Sequence, residues 1–270
     1  MPPIRNVIVP GALVLVLAAT SAAGPRDVLS RAKQLYNGAQ YGDAIAAARD
    51  AARTPALASA AQLVAARALL ERFRASNDED DTRQAREALK QVRAAELTED
   101  DRVELTIALG ESLYFDGQAG AAAEQFELAL ARVDRKAAVR RERLLDWWAT
   151  ALDRQSQSAA EPVARALQAR IIRRMEDELR VDMGATVASY WLAAAARSSG
   201  DIERAWDAAI AGWVRVSQLG QRGASARGEL DALVTRAIIP DRARSIAPGS
   251  PDAAAANMKS QWEALKKAWS

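Results

Sequence analysis

The chain contains no cysteine and no histidine. That removes Cys nucleophiles, Ser-His-Asp and Cys-His arrangements, haem ligation by histidine and the usual structural zinc sites. It also removes any disulfide framework. Aromatic residues are scarce at 5%, and 14 Gly and 9 Pro are few for 270 residues. Half the chain is nevertheless hydrophobic, so Ala and Leu supply most of the apolar surface. That composition favours helix throughout. No run of alternating Val, Ile or Thr reads as a strand. Net charge is only +2. The pI of about 9.0 reflects the absence of groups titrating between the carboxylates and the lysines. A nearly neutral chain gives no support to a nucleic-acid role. The expectation is an all-α protein with no cofactor, no metal and no nucleic-acid partner.

Residues 1–23 read as an export signal. Arg5 gives the positive start, and VIVPGALVLVLAA at 7–19 is an apolar run shorter than the roughly 20 residues of a spanning helix. Ser21, Ala22 and Ala23 supply small residues for cleavage. With no Cys after the run, a lipoprotein anchor is excluded. The expected location is outside the inner membrane, periplasmic or secreted. No integral membrane segment remains after cleavage, and a leader left uncleaved would anchor the chain. The excess of Arg over Lys and the abundance of Ala resemble the bias of a GC-rich bacterial genome.

The rest of the chain is organised around 102–133, RVELTIALGESLYFDGQAGAAAEQFELALARV. Apolar residues three and four apart make each half an amphipathic helix. Gly117 between the halves can take the positive φ that ends the first helix. Ala122 and Ala129 are small where two helix axes come close, with Phe126 between them. This pattern of Leu109-Gly110, the turn Gly117 and a small-aromatic-small second helix resembles the tetratricopeptide repeat, a helix–turn–helix unit. The pair at 27–53 matches it in the turn NGAQYGDA and the small positions Ala44 and Ala51. The pair at 184–216 matches in Leu192, Gly200-Asp201, Ala205 and Gly212. Small positions at Ala44, Ala85, Ala122, Ala164 and Ala205 are 41, 37, 42 and 41 apart, stretched from the family's period of about 34.

Between these pairs, helices are expected over 56–74, 82–94, 137–155 and from Pro162 to Arg180. The acidic run SNDEDD at 76–81 lacks the Gly and the alternating ligand spacing of a calcium loop, and fits a helix N-terminus. Thr98-Glu99-Asp100-Asp101 reads as a capping box. Arg132, Arg135, Lys136, Arg140, Arg141 and Arg143 form a basic face, expected to be solvated and paired with nearby acids rather than to bind phosphate. A helix near 228–239 is expected to end at Pro240. APGSP at 247–251 is a turn-rich linker, and 252–269 is an amphipathic helix with Met258, Trp262, Leu265 and Trp269 on one face.

Together these give a right-handed α-solenoid of antiparallel helix pairs, with a signal at 1–23, repeats over 24–220 and a C-terminal cap over 221–270. The resemblance implies a concave face lined by the first helix of each pair. It places Lys33, Tyr36 and Asn37, then Glu104, Glu111 and Tyr114, then Tyr190 and Arg197 on that face as partner-binding residues. Leu29 stands where a terminal-carboxylate clamp would need Lys. The expected function is a non-catalytic scaffold binding a protein or peptide segment in the bacterial cell envelope. The alternatives are a structural protomer docking or self-associating through its C-terminal helix, and a carboxylate-dependent glycan hydrolase for which only Glu111 is a candidate. A scaffold expects Tyr36 and Tyr114 exposed on a groove, a hydrolase two facing carboxyls, and a protomer Trp262 and Trp269 exposed.

Overall fold

A computed structural model describes residues 25–269, and those residues form helices and turns with no strand. The expected signal at 1–23 lies outside them. The helices run α1 Pro25–Asn37, α2 Tyr41–Ala51, α3 Ala58–Ser76, α4 Glu79–Lys90, α5 Glu99–Phe115, α6 Ala119–Leu130 and α7 Ala138–Gln157. They continue as α8 Glu161–Val181, α9 Thr186–Ser198, α10 Ile202–Ser217, α11 Ala224–Leu233, α12 Ile239–Ile246 and α13 Pro251–Ala268. Nearly every helix packs on the next in sequence. Among the odd-numbered ones α1 also meets α3, α3 meets α5, α7 meets α9 and α9 meets α11. Among the described residues no helix is long and apolar enough to cross a membrane.

The turns inside the three matched pairs share one hydrogen-bond pattern. Gln118 N donates to Leu113 O at 2.9 Å, Asp201 N to Ala196 O at 3.0 Å and Gln40 N to Leu35 O at 2.9 Å. Each is the six-to-one bond of a Schellman ending, which satisfies carbonyls the helix leaves open. Gly117 and Gly200 take the required positive φ, at 77° and 87°. In the first pair it is Ala39, at φ 56°, that does so, one residue after Gly38 of the turn NGAQYGDA. The acidic run behaves as a cap: Asp78 accepts from Asp80 N at 3.0 Å, and α4 begins at Glu79, three residues before the expected start. Thr98 caps α5 by accepting from Asp101 N at 3.1 Å. The other half of the expected box is diverted, because the Asp101 carboxylate pairs with Lys33 at 2.9 Å.

Ala44, Ala85, Ala122 and Ala205 are fully buried, as small positions between close helices should be. Ala164 is only half-buried, at the exposed start of α8. The core has a larger cluster from α5 to α13, around Phe126, Trp148, Met175 and Trp262, and a smaller one over α2 to α5 around Leu63, Leu69 and Leu70. At Pro240 the expected helix end is not found. A π-helical turn at Val234–Ile238 precedes it and runs straight into α12, so the helix continues through Pro240, with the wider turn lying where the proline interrupts the ladder. On α13, Met258 and Trp262 are buried, while Trp269 just past its end is 44% exposed. The Trp262 ring meets those of Trp206 and Trp213, and its Nε1 donates to Asp231 at 2.7 Å. The C-terminal helix is thus seated on α10 and α11 through Trp262.

Candidate functional site

From α1 to α11, the odd-numbered helices pack on one another except at the step from α5 to α7. A cavity of about 360 Å³ lies there, walled by α1, α3, α5 and α7. Such a volume suits a side chain or small molecule. Tyr36 and Asn37 come from α1, Arg67 from α3, Glu104, Ile107 and Glu111 from α5, and Val139, Arg140, Arg143, Leu144 and Trp147 from α7. Spacing explains the α5 and α7 walls: 104, 107 and 111, and 140, 143, 144 and 147, are the three- and four-residue steps of one helix face. Leu144 and Trp147 carry an apolar wall, and Val139 stands at the rim, 86% exposed.

Charge in the cavity is heavily cross-linked. Arg67 and Arg140 approach Glu104 at 2.7 and 2.6 Å. Arg67 also lies over the Tyr36 ring, 4.4 Å from its centre. Arg143 bonds to Glu71, and the same nitrogen stands 3.8 Å from Glu111. Glu71 also accepts from Arg74 at 2.8 Å. Burial is the main influence on Glu111. With the nearby charge of Glu71, and against Arg143, Arg67 and Arg74, it pushes this carboxyl up to about 7. Burial likewise raises the Tyr36 hydroxyl against the opposing charge of Arg67.

Four of the eight expected residues meet in this cavity: Tyr36, Asn37, Glu104 and Glu111. Lys33 lies on the same helix but is tied to Asp101. Tyr114 is half-buried between Phe115 and Trp147, with Arg154 over its ring. Tyr190 and Arg197 belong to α9. Tyr190 packs edge-on against Trp191, and Arg197 pairs with Asp241 at 2.6 Å. Neither Tyr36 nor Tyr114 is exposed; both are half-buried under an arginine. Arg67, Ile107 and Trp147 were not expected at the site. The helical step from Arg140 through Arg143 to Trp147 is the signal that links the basic face to it.

Two residues of the basic face pair with acids outside it, Arg140 with Glu104 and Arg143 with Glu71. Arg141 departs from the expected solvated face altogether. It is buried, and its Nε and Nη2 meet the Glu178 carboxylate at 2.9 and 2.6 Å. Among the described residues no cluster of carboxylates could hold a metal ion. Comparison with family models, with curated proteins and with solved structures finds no match to this chain.

Proposed function

We propose that the chain is a non-catalytic scaffold, a right-handed solenoid of tetratricopeptide-like helix pairs that binds a peptide segment or protein surface in the bacterial cell envelope. The observation that carries this reading is the cavity between α5 and α7. Residues that the resemblance assigns to two separate repeats, Tyr36 and Asn37 from one and Glu104 and Glu111 from the other, face a single volume there. Trp147 and Tyr36 offer large faces that are held in place by their neighbours, which lowers the entropy cost of binding. Charged residues at the mouth would set register. A peptide library panned against the purified chain tests this. The expected result is a recurring motif whose affinity falls about tenfold or more in Tyr36→Ala and Trp147→Ala. Absence of any motif, or equal binding by the variants, counts against the scaffold.

One observation favours the hydrolase alternative: Glu71 and Glu111 approach the same Arg143 nitrogen, and the Glu111 carboxyl is raised. Glu71, however, is occupied by Arg74 and Arg143, which leaves it poorly placed to act on a sugar ring. Release of reducing ends from cell-wall glycan, lost in Glu111→Gln, would overturn the scaffold reading. The protomer alternative draws on the exposed Trp269. It predicts concentration-dependent self-association in sedimentation, abolished by Trp269→Ser.

A further inference from the structure

Glu111 is the most deeply buried ionisable group lining the cavity, at 4% exposure. A carboxylate so placed normally accepts several hydrogen bonds. Among the described residues Glu111 meets only the 3.8 Å approach of Arg143, which is beyond hydrogen-bond reach. That guanidinium is committed to Glu71. The charged and titratable groups facing Glu111 come from every helix around it: Tyr36 on α1, Arg67, Glu71 and Arg74 on α3, and Arg143 on α7. Glu104 lies two turns away on its own helix, held by Arg67 and Arg140. Burial and the charge of Glu71 leave Glu111 divided between its two protonation states near neutral pH.

The charge around the cavity has a definite sign. The guanidiniums of Arg67, Arg74, Arg140 and Arg143 face the carboxyls of Glu71, Glu104 and Glu111. One positive charge is left over when all three acids are ionised, and one more when Glu111 is neutral. Asp100 also reaches toward Arg140, at 4.0 Å, but is open to solvent and screened. An ionised Glu111 repels an anion entering the cavity. A protonated one donates its O–H to it, while the surplus guanidinium charge balances the pair.

We propose that the cavity binds a monoanion carried on an apolar body, and that Glu111 takes up a proton from solvent as the anion enters. This rests on the cavity being the ligand site of the scaffold. The apolar body lies on Ile107, Leu144 and Trp147, and the anionic group points to Glu111 and the arginines. Linkage then makes the two events mutually dependent. The anion raises the proton affinity of Glu111, and the proton raises the affinity for the anion by the same factor. The anion's chemistry is common to a free organic acid and to a carboxyl on a peptide, so both sources enter the test.

The probes are 3-phenylpropionate, its neutral amide, and the peptide acid N-acetyl-Gly-Gly-Phe. Each is titrated calorimetrically into the full chain in two buffers of different ionisation enthalpy. The acid is expected to bind at least about tenfold more tightly than the amide, and to lose about fivefold or more between roughly pH 6 and pH 8. Proton uptake should accompany binding. Glu111→Gln keeps the shape and a donating N–H, so it should bind the acid with no uptake and no pH dependence. Its circular dichroism reports whether it folds, and Arg143→Gln provides a second variant, expected to weaken the acid more than the amide. Equal binding of acid and amide, no binding of either, or uptake that persists in Glu111→Gln overturns the proposal. If phenylpropionate binds with uptake and the peptide acid does not, the proposal stands and the scaffold reading loses its support. If library peptides bind at the cavity without proton uptake, the scaffold stands and this proposal falls.

Discussion

Gly110 on α5 lies flat against the ring of Phe126 on α6. A Cβ built on Gly110 would stand 2.6 Å from Phe126 Cε1 and 2.8 Å from Cδ1. Phe126 is itself fully buried and stacks on Trp147 across the α6–α7 boundary, so it has nowhere to withdraw. Gly110→Ala gains about 1 kcal/mol in helix propensity. Overpacking costs about 1–3 kcal/mol and is expected to win. The variant should unfold at lower urea concentration with an unchanged slope. Gly110→Ala with Phe126→Leu should recover part of the loss, because the smaller side chain gives the new methyl room.

The turn between α1 and α2 carries the opposite situation. Ala39 occupies the left-handed region at φ 56°, where its two counterparts are Gly117 and Gly200. An L-residue with a Cβ costs roughly 1–2 kcal/mol there. Glycine avoids that cost but loses about 0.5–1 kcal/mol in chain entropy. Ala39→Gly is therefore expected to stabilise the chain by about 0.5–1 kcal/mol. Thermal unfolding of the two chains side by side checks this, and a fall in midpoint would contradict it.

A third expectation concerns Arg141 and Glu178, which join α7 to α8 in a buried, two-pronged ion pair. Arg141 also donates to Leu130 O at 3.3 Å, at the open end of α6. Removing one partner leaves the other charge buried and alone, which costs about 3–5 kcal/mol. Arg141→Met should lose about that much by denaturant unfolding. Arg174 remains beside Glu178 at 3.1 Å and should place the loss toward the lower end. Arg141→Met/Glu178→Leu should be clearly more stable than Arg141→Met alone, since neither charge is then buried. If the double variant is the less stable, the pair itself is the source of stability.

The same contrast shows how far the sequence could be read. Helix pairing was legible because Ala, Gly and Phe at fixed steps report how near two axes come, and burial of Ala122, Phe126 and Ala129 follows from that alone. In the first pair the helix end at Asn37 and the turn are legible too, but the left-handed residue is Ala39 and not its neighbour Gly38, a choice that the local pattern does not report. The local pattern puts Arg141 on a solvated face because its partner Glu178 is 37 residues away, a separation that no local pattern reports. The same holds for the site. Tyr36 and Glu111 could be placed on first helices, but the cavity depends on α5 and α7 standing apart, and that is a property of the stack. Glu71 gives no local signal for the same reason. It lies on α3, outside the matched pairs, and meets Arg143 only once α3 and α7 are both in place.

Glu111 gives the last expectation, in pH rather than in ligand. Its carboxyl is pushed up to about 7 in the folded chain, first by burial and then by Glu71, against a value near 4.3 in an unfolded chain. A raised acid means that the folded chain holds more protons than the unfolded one across this window. Its contribution is fully present below about pH 4 and is lost as pH rises through about 7. The full loss is of order 3 kcal/mol. Glu111→Gln cannot ionise, so it should match the parent at about pH 4.5 and exceed it in denaturant midpoint at about pH 8. Other groups titrate over the same range, but they are common to both chains and cancel in the difference. A difference between the two chains that does not change with pH would mean that Glu111 titrates alike in the folded and unfolded chains. The gap opens because the unfolded chain gives up a proton that the buried Glu111 keeps until about pH 7, held there by desolvation and by the charge of Glu71.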